Sequence, residues 1–202
     1  MRKIRQRGTA LVLACHPQPT AAVTAVAAGL AVTTGRPAAQ VLGVAGTVLA
    51  GQLSVGWLND LLDADRDAAV GRPDKPVAAG AVSRRTVLAA TLLAAAAAIG
   101  LSLLSGWPAA AAHTAALVSA WAYDLGVKAT VWSPVPYLVS FGLLPAFVVL
   151  GLPAAPPAWL VAAGALLGCA AHFANVLPDL DDDLATGVRG LPHRWGRRAT
   201  TY

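Results

Sequence analysis

The sequence predicts an all-α fold, a polytopic bundle of transmembrane helices. Three observations predict it. Of 202 residues, 56% are hydrophobic and only 12% charged, where a soluble domain carries about 25% charged residues. Long runs of alanine and leucine, such as TVLAATLLAAAAAIGLSLL, recur along the chain, and a single small soluble core could not bury them all. The basic residues gather in the short segments between alternate runs, the distribution expected of a membrane bundle.

Six apolar spans follow from this patterning, at residues 19–34, 38–57, 86–105, 108–121, 135–152 and 157–173. Several continue into polar flanks, the second to 67, the fourth to 123 and the sixth to 183. The first follows HPQP at 16–19. The third follows the pair Arg84 and Arg85. The fourth is short unless it runs through Tyr123. The fifth contains SFGLLPAF, where Gly142 and Pro145 predict a kink that shapes a cavity. Trp107, Trp121, Trp132 and Trp159 lie near span ends, as an interfacial aromatic belt requires. The chain is expected to form one integral-membrane domain over 1–202.

Charge sets the orientation. Arg2, Lys3, Arg5 and Arg7 precede the first span. Arg66, Arg72, Lys75, Arg84 and Arg85 follow the second. Lys128 follows the fourth, and Arg189, Arg194, Arg197 and Arg198 follow the sixth. Of the 15 basic residues, Arg36 alone falls on the other side. The positive-inside rule then places the N-terminus, the loops after spans two and four, and the tail in the cytoplasm, in a bacterial plasma membrane. The net charge of +5 is topological charge and implies no nucleic-acid partner. Cys15 and Cys169 belong to no CxxC, so neither a disulfide framework nor a zinc site is expected. VLAC resembles a lipoprotein cleavage site, but the apolar run before it, TALVLA, is short for a signal-peptide core.

All 10 acidic residues are aspartates, and all lie on the cytoplasmic side. Topology does not explain this, because acids influence it little. Carboxylates at the end of an apolar helix are costly unless paired, solvated or bound to a cation, so such a cluster marks a functional site. Asn59, Asp63 and Asp67 are spaced four apart. On a helix they drift only about 80° across one face and span about 12 Å. Asp60 and Asp65 point elsewhere and are expected to be secondary. The sixth span ends in HFANVLPDLDDDLATGVRG, where Asn175, Asp179 and Asp183 repeat the spacing. Superposing Asn59 on Asn175 also places Asp63 on Asp179, Asp65 on Asp181, Asp67 on Asp183, Gly71 on Gly187 and Trp57 over Phe173. The repeat reads as the trace of a duplicated helical unit.

Oxygen-rich clusters of this kind suit Mg²⁺, which binds one or two carboxylates together with substrate phosphate oxygens. Two such clusters facing each other are expected to hold Mg²⁺ ions and, through them, a diphosphate. Arg72 and Lys75 would take up the remaining phosphate charge. A diphosphate leaving group beside a membrane interior points to a prenyl diphosphate, its head at the cytoplasmic rim and its tail among lipid-like side chains.

NDLLDADRD and DLDDD together resemble the NDxxDxxxD and DxxxD motifs of the UbiA superfamily of intramembrane prenyltransferases. GRPDKP resembles the Arg/Pro-rich loop after the family's first motif, and YDLGVK, Tyr123 to Lys128, its tyrosine- and lysine-bearing loop. The resemblance covers roughly residues 10–195. It implies a helical bundle with a central cavity, Mg²⁺ dependence and transfer of an isoprenoid to an aromatic or lipid-type acceptor. It implies that Asn59, Asp63, Asp67, Asp179 and Asp183 hold Mg²⁺, that Asn59, Asn175, Arg72, Lys75 and Lys128 contact the diphosphate, and that Tyr123 stabilises the allylic cation or orients the diphosphate. The family has about nine transmembrane helices and this chain about six, so the chain is expected to be C-terminally short.

Three alternatives share these observations: a membrane-embedded terpene cyclase of the same ancestry, a non-catalytic truncated paralogue, and an ion-handling membrane protein. The last predicts polar residues at mid-bilayer, which the spans largely lack. Among the histidines, His172 is expected to be a second-sphere partner or a packed interior residue, and His113 an interior hydrogen-bonded one. His16 stands where the family has an arginine, and His193 is expected to be solvated. Asp74, between Arg72 and Lys75, is expected to balance charge.

Overall fold

The structure, a computed structural model, describes residues 2–72 and 74–200, with side chains described for 8–72 and 74–196. The side chains of Arg2, Lys3, Arg5, Arg7, Arg197 and Arg198, used above to orient the chain, lie outside the described residues, as does Pro73 of the GRPDKP loop. The described residues contain helices and connecting turns and no strand. In chain order the helices are α1 (Arg2–Ala14), α2 (Pro17–Thr33), α3 (Ala38–Ala69), α4 (Arg84–Ser102), α5 (Trp107–Asp124), α6 (Val135–Leu150), α7 (Ala158–Val176), α8 (Leu180–Ala185) and α9 (Leu191–Thr200). Each expected apolar span is helical.

Length and composition divide them further. Helix α3, α4 with its trailing 3₁₀ turn Leu103–Ser105, and α7 are long and apolar enough to cross a membrane. The pair Gly8–Ala14 and Pro17–Thr33, bent by 66°, makes a further span if taken together. Helix α6 is apolar but has 16 residues, short of the roughly 20 that cross a hydrocarbon core. Helix α5 interrupts its alanines with His113 and Asp124.

The chain divides into two compact units, one ending at Ser105 and one beginning at Gly106. In the first, α3 packs against α2 and α4. The bend between α1 and α2 is fastened to α3. Trp57 Nε1 donates to the Leu11 carbonyl at 2.8 Å, and Thr20 Oγ1 donates to the Cys15 carbonyl at 2.9 Å. A Cβ on Gly56 would come within 2.3 Å of that same Cys15 oxygen, so the two backbones touch where only glycine fits. A buried cluster of Ala10, Ala64, Val77, Val82 and Val87 joins α1, α3, α4 and the loop after α3. That loop is therefore packed rather than loose.

In the second unit α6 packs against both α5 and α7. Along α7, Gly164 and Gly168 face the Phe141 and Tyr137 carbonyls, where a Cβ would lie 2.4 and 2.5 Å away. The α5–α6 contact is held by Ser140 Oγ donating to the Ala116 carbonyl at 2.8 Å. Pro145 lies inside α6 and is buried against Gly164, the place where a kink was expected.

The sixth span ends earlier than expected. Helix α7 stops at Val176 rather than running to 183, because Pro178 has no N–H to continue the ladder. Asp179 then sits at the N-terminus of the separate helix α8, without a side-chain capping bond. Helix α1 was not anticipated, since its sequence is too polar to register as a span.

Gly56→Ala is expected to cost about 1–3 kcal/mol through overpacking. Thermal unfolding of the detergent-solubilised chain checks this. Gly43→Ala, where an added methyl meets nothing within 4 Å, should leave the midpoint unchanged or higher.

Candidate functional site

The first acidic motif lies in the C-terminal half of α3, on an unbroken helix. Asp63 and Asp67 are 7% and 4% exposed, so both carboxylates are withdrawn from bulk water. Asp63 Oδ2 accepts from Asn59 Nδ2 at 3.1 Å and from Arg66 Nη2 at 3.0 Å. The first of these is the i, i+4 contact that the spacing predicts. Asp67 Oδ2 is buried without a hydrogen-bond partner, a costly state that a cation would relieve.

The two expected secondary acids behave differently from each other. Asp65 is exposed and pairs with Arg84, which ties α3 to the start of α4. Asp60 is 1% exposed, below Asp63 and Asp67. Its Oδ2 accepts from the Val77 amide at 3.2 Å, and its Oδ1 lies 3.8 Å from Lys75 Nζ. Asp60 does not point elsewhere: it is buried with Asp63 and Asp67, and on a helix it lies only about 20° from Asp67 and about 60° from Asp63.

The basic loop is built on α3 as well. The Arg72 amide donates to the Asp67 carbonyl at 2.9 Å, closing the helix end. Arg72 Nε and Nη2 each donate to Asp74 at 3.0 Å. This bidentate pair holds the Asp74 carboxyl below the ordinary carboxylate range, so Asp74 balances charge as expected. Lys75 Nζ is also 3.3 Å from His16 Nε2.

In the second unit, Asn175 Nδ2 donates to Tyr137 Oη at 3.3 Å, while Asp179 and Asp183 belong to α8 and its N-terminus. The break at Pro178 means that Asn175, Asp179 and Asp183 do not share one continuous helical face, unlike their counterparts on α3. His193, expected to be solvated, is 8% exposed and its Nε2 is 3.0 Å from Asp183 Oδ2. Sequence spacing could not show this, because it depends on α9 turning back beside α8.

Tyr123 meets Tyr137 edge-on at 5.1 Å between ring centroids and His172 at 5.6 Å. His172 is 1% exposed, with Nε2 3.0 Å from Ser133 Oγ. That same oxygen accepts from the Leu191 amide at 3.0 Å. His172 is thus a packed histidine that also steadies the segment after the second motif. Asp124, next to Tyr123, is buried at 6% exposure and was not among the expected site residues. Its place inside YDLGVK was the available signal. Lys128 is half-buried beside this turn, its carbonyl against Gly190. His113 is buried against Phe147, far along α5 from Tyr123, and its Nδ1 has no hydrogen-bond partner.

Among the described residues no group of three or more His, Cys, Asp or Glu is gathered closely enough to hold a metal by itself. The donor set nonetheless fits Mg²⁺, which takes one or two protein carboxylates and completes its shell with water and phosphate oxygens. Asp63 and Asp67 supply such a pair, and Asp67 Oδ2 is the open lone-pair site.

Buried carboxylates and a loop base thus meet at one end of α3. The chain belongs to the UbiA prenyltransferase family, whose model matches residues 20–202. It is 32% identical over 169 residues to digeranylgeranylglyceryl phosphate synthase of Natronomonas pharaonis, an alignment covering 82% of this chain. The chain spans 60% of the length of that curated relative. A solved structure of digeranylgeranylglyceryl phosphate synthase shares the fold, with a TM-score of 0.68 over 98% of this chain and 71% of that one, at 15% identity.

Ser133→Ala removes the acceptor of the half-buried Leu191 amide and the partner of His172. It is expected to cost about 1–3 kcal/mol. A lower unfolding midpoint, with faster amide exchange at Leu191, would be the measured result.

Proposed function

We propose that this chain carries out Mg²⁺-dependent transfer of a prenyl group from a prenyl diphosphate to a lipid-type acceptor within the membrane. The observation that carries the proposal is the buried pair Asp63 and Asp67 on one face of α3, with Asp67 Oδ2 open and the bases of the next loop folded over the same helix end. Family membership supports the reaction class. The relative's name favours a glyceryl-phosphate lipid over an aromatic acceptor, with geranylgeranyl diphosphate as the first donor to try.

Asn59, Asp63 and Asp67 would hold Mg²⁺ in this scheme, and Asp179 and Asp183 supply the same donor chemistry in the second motif. A bound Mg²⁺ supplies Lewis-acid stabilisation of the departing diphosphate. The chain's own residues do the rest. Asn59 donates to Asp63 and fixes which carboxylate lone pairs remain available. Arg66 shares Asp63 Oδ2 and neutralises it while no other cation is there. Arg72, Lys75 and Lys128 contribute positive charge toward the leaving group, and Asn175 contributes a polar contact. Tyr123 offers an aromatic face or a hydroxyl at the reacting end. The apolar spans would house the isoprenoid tail, and the distribution of basic residues supports motifs at the cytoplasmic face of the plasma membrane.

Asp63→Ala, Asp67→Ala and Asp179→Ala are each expected to lower kcat/KM by about 10²-fold or more. The assay follows radiolabelled geranylgeranyl diphosphate in membranes supplied with Mg²⁺ and a prenylated glyceryl phosphate. Full activity in these variants would refute the assigned roles. A cyclic hydrocarbon formed without acceptor would redirect the proposal to a cyclase.

A further inference from the structure

Two features of the first unit are left over by the diphosphate site, and they meet at one atom. Asp60 is 1% exposed. Its Oδ2 accepts from the Val77 amide at 3.2 Å. Its Oδ1 has no hydrogen-bond partner and lies 3.8 Å from Lys75 Nζ. A buried carboxylate so placed would repel a diphosphate rather than bind it. It is stable there because an ammonium answers its charge and a backbone amide its lone pair.

The second feature is His16. It is the one non-glycine with positive φ among the described residues, at φ 54° and ψ 70°. It occupies the 66° bend between α1 and α2. A left-handed backbone is unfavourable for a residue with a Cβ and persists where its surroundings impose it. The surroundings are those already described: Cys15 against Gly56, Trp57 to Leu11, and Thr20 to Cys15. They set the His16 ring with Nε2 3.3 Å from Lys75 Nζ. An ammonium has donors only, so Nε2 accepts and the ring proton sits on Nδ1.

We propose that Asp60 and His16 are positioning residues that latch the loop after α3 and aim the Lys75 ammonium. Asp60 ties the loop backbone through Val77, whose side chain is buried with Ala64 and Val87. His16 and Asp60 take the end of the lysine from two sides. A free lysine loses much rotamer entropy on binding an anion, and a latched one has lost it already. His16 acts through Lys75, although it stands where the family has an arginine. The inference rests on Lys75 contacting the diphosphate.

The test uses the full chain in phospholipid vesicles. Without substrate, two signals are read: amide exchange over residues 74–82 and labelling of Lys75 by an amine-reactive reagent. Asp60→Ala is expected to raise both by roughly tenfold or more. Asp60→Asn keeps an oxygen for the Val77 amide, so exchange stays near wild type while Lys75 labelling rises. His16→Ala likewise raises labelling alone, and His16→Gln, which keeps an acceptor, restores it. With prenyl diphosphate, the variants that free Lys75 are expected to raise KM by about tenfold while kcat stays within about threefold.

Unchanged exchange and labelling in Asp60→Ala would overturn the latch. So would freed labelling with a wild-type KM, in a protein whose KM does respond to Lys75→Ala. If Lys75→Ala itself leaves KM unchanged, the diphosphate role assigned to Lys75 is overturned, and exchange and labelling alone decide the latch. Should Asp60→Ala fail to fold, Asp60→Asn and the His16 pair carry the same decision.

Discussion

The interaction on which this structure depends is the answering of carboxylate charge where an apolar helix ends. Asp60, Asp63 and Asp67 are all buried on one helix, in a chain that is only 12% charged. Each must find a cation or a donor, or the helix end would take up water and fray. Arg66 and Asn59 answer Asp63, and Lys75 with the Val77 amide answers Asp60. Asp67 keeps one oxygen open. The order of the site follows from that division of partners. The second motif meets the same constraint with His193 against Asp183.

Packing makes the charged region rigid enough to matter. In a bilayer the helices gain little from hydrophobic transfer against one another, so close backbone contact and a few polar bonds must hold them. Gly56 against Cys15, and Gly164 and Gly168 against α6, provide that closeness. Side-chain hydroxyls then bond across helices, as Ser140 does to Ala116. The loop after α3 inherits this order through Val77 and Val82, which are core residues although they lie outside any helix.

Much of this was legible in the sequence. Hydropathy placed the helices, and the i, i+4 repeat placed Asn59, Asp63 and Asp67 on one face. Those features are local and need only helical geometry. Asp60 as a loop anchor and His193 as the partner of Asp183 were not legible. Each depends on a chain reversal that brings together residues with no periodic relation. The early end of α7 was readable in principle from Pro178, but the repeated spacing of the two motifs masked it. The helical course of α1 was hidden by its mixed composition.

The break at Pro178 separates how the two motifs respond to change in length. Asn59, Asp63 and Asp67 ride on one rod of 32 residues. Removing one residue from that rod upstream of Asn59 would swing all three by about 100° together. Helix α7 ends before its acids begin, so the turn at Leu177 and Pro178 can absorb such a register shift. An insertion or deletion upstream of the acids is therefore expected to be borne more easily in α7 than in α3. One acidic motif is keyed to the phase of its transmembrane helix, and the other rides on a joint.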